Sequence, residues 1–249
     1  MSTLRLVLRG FIFLSSMLLA IPLLIILRLF GRFPRAQFAI YSAWRALFLG
    51  AMGIRIHYTG NPYPHPALLV ANHRSYADVL FVPSLTPVVF LAKIEIRHWP
   101  LIGWGARAMD TVFVDRSTKD SRRAARIALR DRMSHGESAV VFPEGTTTAQ
   151  GLNPLHPGMF VVAAEESWPV VAYAMEYSDP DMAWVGQEAF VTHLVRMLRR
   201  PMWHVNVIIS EPMTHSDPDQ LMENVRIWMV NAIETLRPGS TQNEEKENP

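Results

Sequence analysis

The chain has 249 residues, 49% hydrophobic and only 18% charged, with 24 Lys or Arg against 22 Asp or Glu, a net charge of +2 and no cysteine. That length suits one sizeable core, and a mean hydropathy of +0.11 leans towards association with a membrane rather than a freely soluble protein. The lack of cysteine excludes disulfides, thiolate nucleophiles and thiolate-bound metals and fits a reducing compartment; no zinc or P-loop pattern occurs either.

From Gly10 to Leu27 eighteen residues carry no charge, between Arg5 and Arg9 on one side and Arg28, Arg32 and Arg35 on the other. A helix of that length spans about 27 Å, enough for the hydrocarbon core of a bilayer. A cleaved signal peptide would have a shorter apolar region and a small-x-small cleavage site, and a core helix is rarely apolar on every face. The expectation is therefore a membrane helix. Pro22 can kink it, so that it either crosses the bilayer or dips into one leaflet. The denser arginines after Leu27 put the body on the cytoplasmic side, which implies the inner membrane of a cell. Phe38 to Ile54 is a second apolar helical stretch carrying only Arg45. Its Phe38, Tyr41, Trp44 and Phe48 suit a membrane interface, or the helix simply covers the core.

After Gly53 short β-type runs alternate with helical segments. The predicted strands are Ile54–Thr59, Ala67–Ala71, Val88–Ala92, Thr111–Asp115, Ser138–Phe142, Val170–Glu176 and His204–Ser210. Several are near-continuous apolar runs, as expected of strands covered on both faces. Helices fit at Ser75–Ser84, Ser117–Ser134, Gly158–Glu166, Ala189–Arg199 and Asp217–Leu236. The pattern is α/β, a mostly parallel sheet flanked by helices. The expected organisation is membrane-anchoring helices over 1–53, one catalytic body over 54–237 and a disordered polar tail over 238–249.

In parallel sheets, sites form outside the carboxyl ends of strands. His73 follows one predicted strand, Lys93 the next, Arg116 the third and Glu144 the fourth, so the four can share a pocket. Taken singly each has a plainer role: Arg116 can neutralise Asp115, Lys93 can pair with Glu95, and Glu144 can cap a turn. The segment NHRSYAD, Asn72 to Asp78, carries the sharpest chemistry. A positioned imidazole can take a proton from a hydroxyl near neutral pH, and a carboxylate on its other nitrogen fixes the tautomer. His73 and Asp78 are five residues apart, which on one continuous helix turns them roughly 140° from each other. They converge if His73 sits at the strand end and Asp78 in a first helical turn capped by Ser75. Ser75 as a nucleophile is disfavoured, because no GxSxG elbow occurs.

These blocks resemble the glycerolipid acyltransferases typified by 1-acyl-glycerol-3-phosphate acyltransferase. NHRSYAD matches their His-four-residues-Asp pattern as His73 and Asp78; VFVDR (Val112 to Arg116), FPEGT (Phe142 to Thr146) and the run Val170 to Glu176 follow in the family's order. The resemblance spans roughly Ile54 to Pro212 and implies the family fold and acyl transfer to a lysophospholipid, most simply 1-acyl-glycerol-3-phosphate. It implies His73 as general base and Asp78 as its orienter, with Lys93, Arg116, Glu144, Gly145 and Thr146 on the acceptor. Arg116 would hold a phosphate and Glu144 an acceptor hydroxyl, while Gly145 allows close backbone approach and its turn offers N–H groups. No metal or other cofactor is expected beyond the donor, acyl-CoA or acyl carrier protein.

Three positions depart from the family: Thr147 stands where an arginine often follows FPEGT, Asp110 where a glycine opens the second block, and Leu155-His156-Pro157-Gly158 has histidine for lysine. They bear on the acceptor more than on the reaction, and lyso-ornithine lipid or another lysolipid would tolerate them. The alternative of another class is a non-catalytic lipid-binding membrane protein. Between Arg116 and Arg132 lie seven Lys or Arg, with Arg122, Arg126 and Arg130 at four-residue spacing. That face is either solvated, or meets anionic membrane lipids or an acidic acyl carrier. Nucleic acid is excluded as a partner, since no binding motif accompanies the charge.

Overall fold

Each predicted apolar run becomes a strand of one seven-stranded sheet in the computed structural model, which describes residues 2–237. The strands are β1 (Ile54–Thr59), β2 (Leu68–Ala71), β3 (Val88–Lys93), β4 (Val112–Val114), β5 (Ser138–Val141), β6 (Val170–Tyr177) and β7 (Trp203–Ile209). Their spatial order is β1-β7-β6-β2-β5-β3-β4, parallel at every junction except β6–β7. All four residues of β2 and of β5 are buried, the apolar ones covered on both faces and Ser138 accepting the Ala67 N–H. The proposed tail, 238–249, lies outside the described residues.

The helices are α1 (Ser2–Leu29), α2 (Pro34–Met52), α3 (Ile102–Ala108), α4 (Lys119–Ser134), α5 (Gly158–Glu166), α6 (Phe190–Arg199) and α7 (Pro218–Leu236). Local chemistry sets their ends. Pro34 opens α2 and Gly53 closes it at φ 70°, while the Thr118 and Asp217 side chains cap α4 and α7. The helices divide into two layers. Phe48, Leu49 and Met52 of α2, with Met197 and Leu198 of α6, join the core on one face of the sheet. Leu129 and Met133 of α4, with residues of α5 and α7, form the core on the other.

Both ends of α1 are tied to the body. Arg9 donates to the carbonyls of Ala51, Arg200 and Pro201, and at the far end Arg28 pairs with Asp110. Asp110 adopts φ 57°, a left-handed conformation that explains why a glycine suits this place. Its carboxylate repays the strain by receiving Gln37 at 3.2 Å and both Arg28 and Arg32. The outer side of α1 remains apolar and exposed, including Leu4, Leu8, Phe11, Leu18 and Leu29.

Two local expectations need correction. Ser75–Ser84 does not form an α-helix; only a 3-10 turn, Tyr76–Leu80, forms there. Asp78 spends its carboxylate on the turn's entry, and Pro83 removes the donor that a longer helix needs. Helix α3 was not anticipated, because Gly103 and Gly105 weaken its helical signal. Gly103 is needed there: a Cβ would come within 2.5 Å of the Arg97 carbonyl oxygen.

Candidate active site

The sheet order sets β2, β5, β3 and β4 side by side and parallel, so their carboxyl ends share one edge. His73, Glu144, Lys93 and Arg116 emerge there in that order.

His73 lies two residues beyond β2, and Asp78 is in the first turn of the 3-10 segment capped by Ser75. Their side chains meet at 2.8 Å, from His73 Nδ1 to Asp78 Oδ2. A carboxylate only accepts, so Nδ1 carries the proton and Nε2 keeps its lone pair. The imidazole lies over the Phe142 ring at 4.4 Å between centroids and is 20% exposed, whereas Asp78 is fully buried. Asp78 Oδ2 also receives the backbone N–H groups of Arg74 at 2.6 Å and Ser75 at 2.8 Å. The Tyr177 hydroxyl donates to Oδ1. Burial, followed by the Asp78 charge, pushes the Tyr177 phenol well above its ordinary range, which keeps it a donor. Ser75 Oγ accepts the Ala77 N–H as part of the cap.

The carboxyl end of β6 grips this loop with three consecutive residues. Met175 exchanges two hydrogen bonds with the Asn72 side-chain amide, at 2.9 and 2.7 Å. Glu176 pairs with Arg74 at 2.6 and 3.1 Å, and Tyr177 holds Asp78. Arg74 is almost fully buried and also donates to the Gly151 carbonyl at 2.8 Å. Arg74, Asn72 and Tyr177 were not foreseen. One signal pointed to them: Glu176 is the lone charge closing an eight-residue apolar strand, and such a charge needs a partner.

Glu144 serves the same loop. Its Oε1 accepts the His73 N–H at 2.6 Å and its Oε2 the Asn153 N–H at 2.8 Å. Burial raises its pKa, and those two backbone donors pull it back down. Both oxygens are engaged and the residue is only 4% exposed, so Glu144 is not among the residues lining the cavity described below. Within the FPEGT turn, the Gly145 N–H donates to the Phe142 carbonyl at 3.1 Å.

The remaining site residues border a cavity of about 390 Å³. Its polar end carries His73, Lys93, Arg116, Gly145, Thr146 and Thr147; beyond them it runs between the body and the inner faces of α1 and α2, past Met17, Tyr41 and Trp44. The Arg116 guanidinium donates to the Gly145 carbonyl, and a Cβ on Gly145 (φ 72°) would stand 2.7 Å from Arg116 Nη1 and 3.0 Å from His156 Nε2. The positive φ favours glycine, and a Cβ here would push aside the ends of the Arg116 and His156 side chains. Burial lowers the Arg116 pKa, and the nearby Glu95 charge opposes the shift. Asp115 is held by Ser117 rather than by Arg116. Lys93 is exposed and forms no ion pair with Glu95 among the described residues, and Thr146 is exposed beside it on the cavity wall.

A protein-family profile described as Acyltransferase matches residues 54–176. The chain is 31% identical over 231 residues to a lyso-ornithine lipid O-acyltransferase of Pseudomonas aeruginosa, covering 88% of this chain and 89% of that one. It is 26% identical over 188 residues to a 1-acyl-sn-glycerol-3-phosphate acyltransferase of Neisseria gonorrhoeae, covering 70% and 74%. Among solved structures, the 1-acyl-sn-glycerophosphate (LPA) acyltransferase of Thermotoga maritima superposes with a TM-score of 0.69 at 19% identity, over 95% of this chain and 98% of that one. At that identity the likeness bears on the fold alone.

Proposed function

Because the chain belongs to the acyltransferase family, we propose that it moves an acyl chain from a thioester donor, acyl-CoA or acyl carrier protein, to the free hydroxyl of a lysolipid. The carrying observation is the His73–Asp78 pair, fixed at 2.8 Å on a cavity with a polar mouth and an apolar interior. His73 Nε2 takes the proton of the acceptor hydroxyl as its oxygen attacks the thioester carbonyl. The tetrahedral intermediate collapses, the C–S bond breaks, and the imidazolium returns the proton to the departing thiolate. Asp78 stabilises the imidazolium in between. The acceptor oxygen is itself the nucleophile, so Ser75 stays a cap and no acyl-enzyme forms.

Arg116 and Lys93 are the groups for the anionic part of the acceptor head, with Gly145 and Thr146 shaping the wall beside them. Glu144 holds the His73 backbone. Lyso-ornithine lipid is the first acceptor to test: Thr147 withholds one positive charge from the mouth, and the ornithine head carries a carboxylate and an ammonium rather than a dianionic phosphate. The relative from Pseudomonas supports that order. The second is 1-acyl-glycerol-3-phosphate, giving phosphatidic acid, which the two cations at the mouth favour.

Residues 1–53 act as the anchor and 54–237 as the catalytic body, at the cytoplasmic face of the inner membrane. With both ends of α1 fastened to the body and its outer side apolar, the anchor lies in one leaflet. No cofactor takes part beyond the thioester donor. The test is thiol release from acyl-CoA across a panel of lysolipids. Turnover should appear with one acceptor class and vanish in His73→Ala; near wild-type turnover in that variant sinks the mechanism, and no release with any lysolipid favours a non-catalytic lipid-binding protein.

A further inference from the structure

Arg45 is the one charge between Phe38 and Ile54, and it is not among the residues lining the cavity. Tyr41, Arg45, Phe48 and Met52 recur at helical spacing, so Arg45 shares the side of α2 that joins the core. It is half-buried there and forms no ion pair among the described residues. Instead its Nε donates to the Leu80 carbonyl and its Nη2 to the Tyr58 hydroxyl at 2.8 Å. A guanidinium withdrawn from water without a carboxylate is costly, so these two acceptors are what keep a charge on this face.

The Leu80 carbonyl closes the 3-10 turn that carries Asp78. The chain after the turn cannot satisfy its last carbonyls, because Pro83 offers no N–H to Leu80 three residues before it or to Val79 four before it. Side chains of other elements take that place. Tyr41 donates to the Val79 carbonyl at 2.9 Å, Arg45 to Leu80, Tyr58 of β1 to Phe81 at 3.2 Å and Tyr173 of β6 to Pro83 at 3.1 Å. A cation also suits the negative end of the turn's peptide dipoles. The entry of the turn is fixed by the Ser75 cap and by the N–H groups that Asp78 receives. Asp78 therefore sits between an entry held by the catalytic loop itself and an exit held largely by α2.

We propose that Arg45 and Tyr41 are positioning residues for acyl transfer: by holding the Leu80 and Val79 carbonyls they orient Asp78, and through Asp78 the His73 imidazole. In a turn of five residues a shift of the exit carries the carboxylate with it, away from the 2.8 Å contact on which the base depends. This rests on the acyltransferase reading and gives α2 a part in the reaction besides covering the core. Arg45 acts only through the turn and touches no reacting atom.

The test uses the full chain in detergent or nanodiscs, with steady-state thiol release and NMR of protein labelled with 15N-histidine. Arg45→Met keeps the length of the side chain and removes both donors. It should lower kcat about tenfold and leave KM for acyl-CoA and for the lysolipid within about twofold. Arg45→Lys keeps a cationic donor for the Leu80 carbonyl and should recover most of that loss. Tyr41→Phe keeps the ring on the cavity wall and should cost about threefold in kcat. The His73 Nδ1 proton, assigned as the signal missing from His73→Ala, should move or vanish in Arg45→Met while the other histidine signals hold. Wild-type kcat in Arg45→Met, a rise in KM in place of the fall in kcat, or a kcat in Arg45→Lys no better than in Arg45→Met overturns the proposal. So does an unmoved His73 signal. Should Arg45→Met fail to fold, Tyr41→Phe decides, and wild-type kcat there overturns the proposal too. The NMR signal needs no turnover: absence of thiol release in the wild type breaks the acyltransferase reading, and the spectrum still shows whether Arg45 positions the pair.

Discussion

The two walls that meet at the mouth of the cavity are built in opposite ways. On one, Asn72 to Asp78 is locked by buried partners: Asp78 receives two backbone N–H groups, a tyrosine hydroxyl and the imidazole, and Arg74 is sealed against Glu176. On the other, Lys93 and Thr146 are exposed, and Arg116 touches the protein through the Gly145 carbonyl. Proton transfer needs a base held to a fraction of an ångström, which calls for a saturated network. Head-group recognition needs charge that water or a ligand can reach. Under the proposed mechanism the first wall fixes which reaction occurs, and the second selects the molecule that undergoes it.

That contrast breaks most sharply at Asp78. Asp78→Asn keeps the shape and can leave its amide oxygen on His73 Nδ1 and the Arg74 and Ser75 N–H groups. It nevertheless turns an NH2 on the donating Tyr177 hydroxyl and removes the charge that stabilises the imidazolium. kcat should fall by about 10³-fold or more with KM for the acceptor nearly unchanged, in steady-state thiol release. Arg74→Ala comes next and should act on stability. It leaves the Glu176 charge in a largely buried place without its partner, at a cost of about 3–5 kcal/mol, read as a fall in Tm. If Arg74→Ala melts like the wild type, the saturated wall is not what holds the loop.

Tyr177→Phe removes one donor from a buried carboxylate together with the hydroxyl's contact to Ser75. The expected loss is about 1.5–3 kcal/mol, divided between stability and kcat. Its particular sign is a fall in kcat with KM for the acceptor unchanged; a kcat that stays at the wild-type value while Tm falls makes Tyr177 a packing residue only.

The two walls also differ in how far they could be read before the structure. All seven strands, the convergence of His73 with Asp78 and the row of residues at strand ends follow from apolar runs and from the rule for parallel sheets. The grip of Met175, Glu176 and Tyr177 does not, because it joins residues about a hundred positions apart through hydrogen bonds that leave no periodic trace. The two backbone N–H groups that Glu144 accepts were not legible either: a carboxylate at a strand end looks the same in sequence whether it faces a ligand or a backbone N–H. Helix α3 hid behind its glycines, of which Gly103 is required by a close approach to the Arg97 carbonyl.

The smallest effect tests the exposed wall. Arg116 is held by a single carbonyl, so Arg116→Ala should leave the fold and kcat near wild type and act through acceptor binding. A lost charge-assisted contact of about 1.4 kcal/mol is a tenfold rise in KM. The rise should be larger for a dianionic phosphate acceptor than for the zwitterionic ornithine head, because one cation weighs more against two negative charges. Thr147→Arg is the reciprocal change: it adds a positive charge to the mouth and should lower KM for 1-acyl-glycerol-3-phosphate relative to lyso-ornithine lipid. If instead Arg116→Ala lowers kcat and KM stays constant, Arg116 belongs with the saturated wall, and the division between reaction and acceptor falls between Arg116 and Lys93.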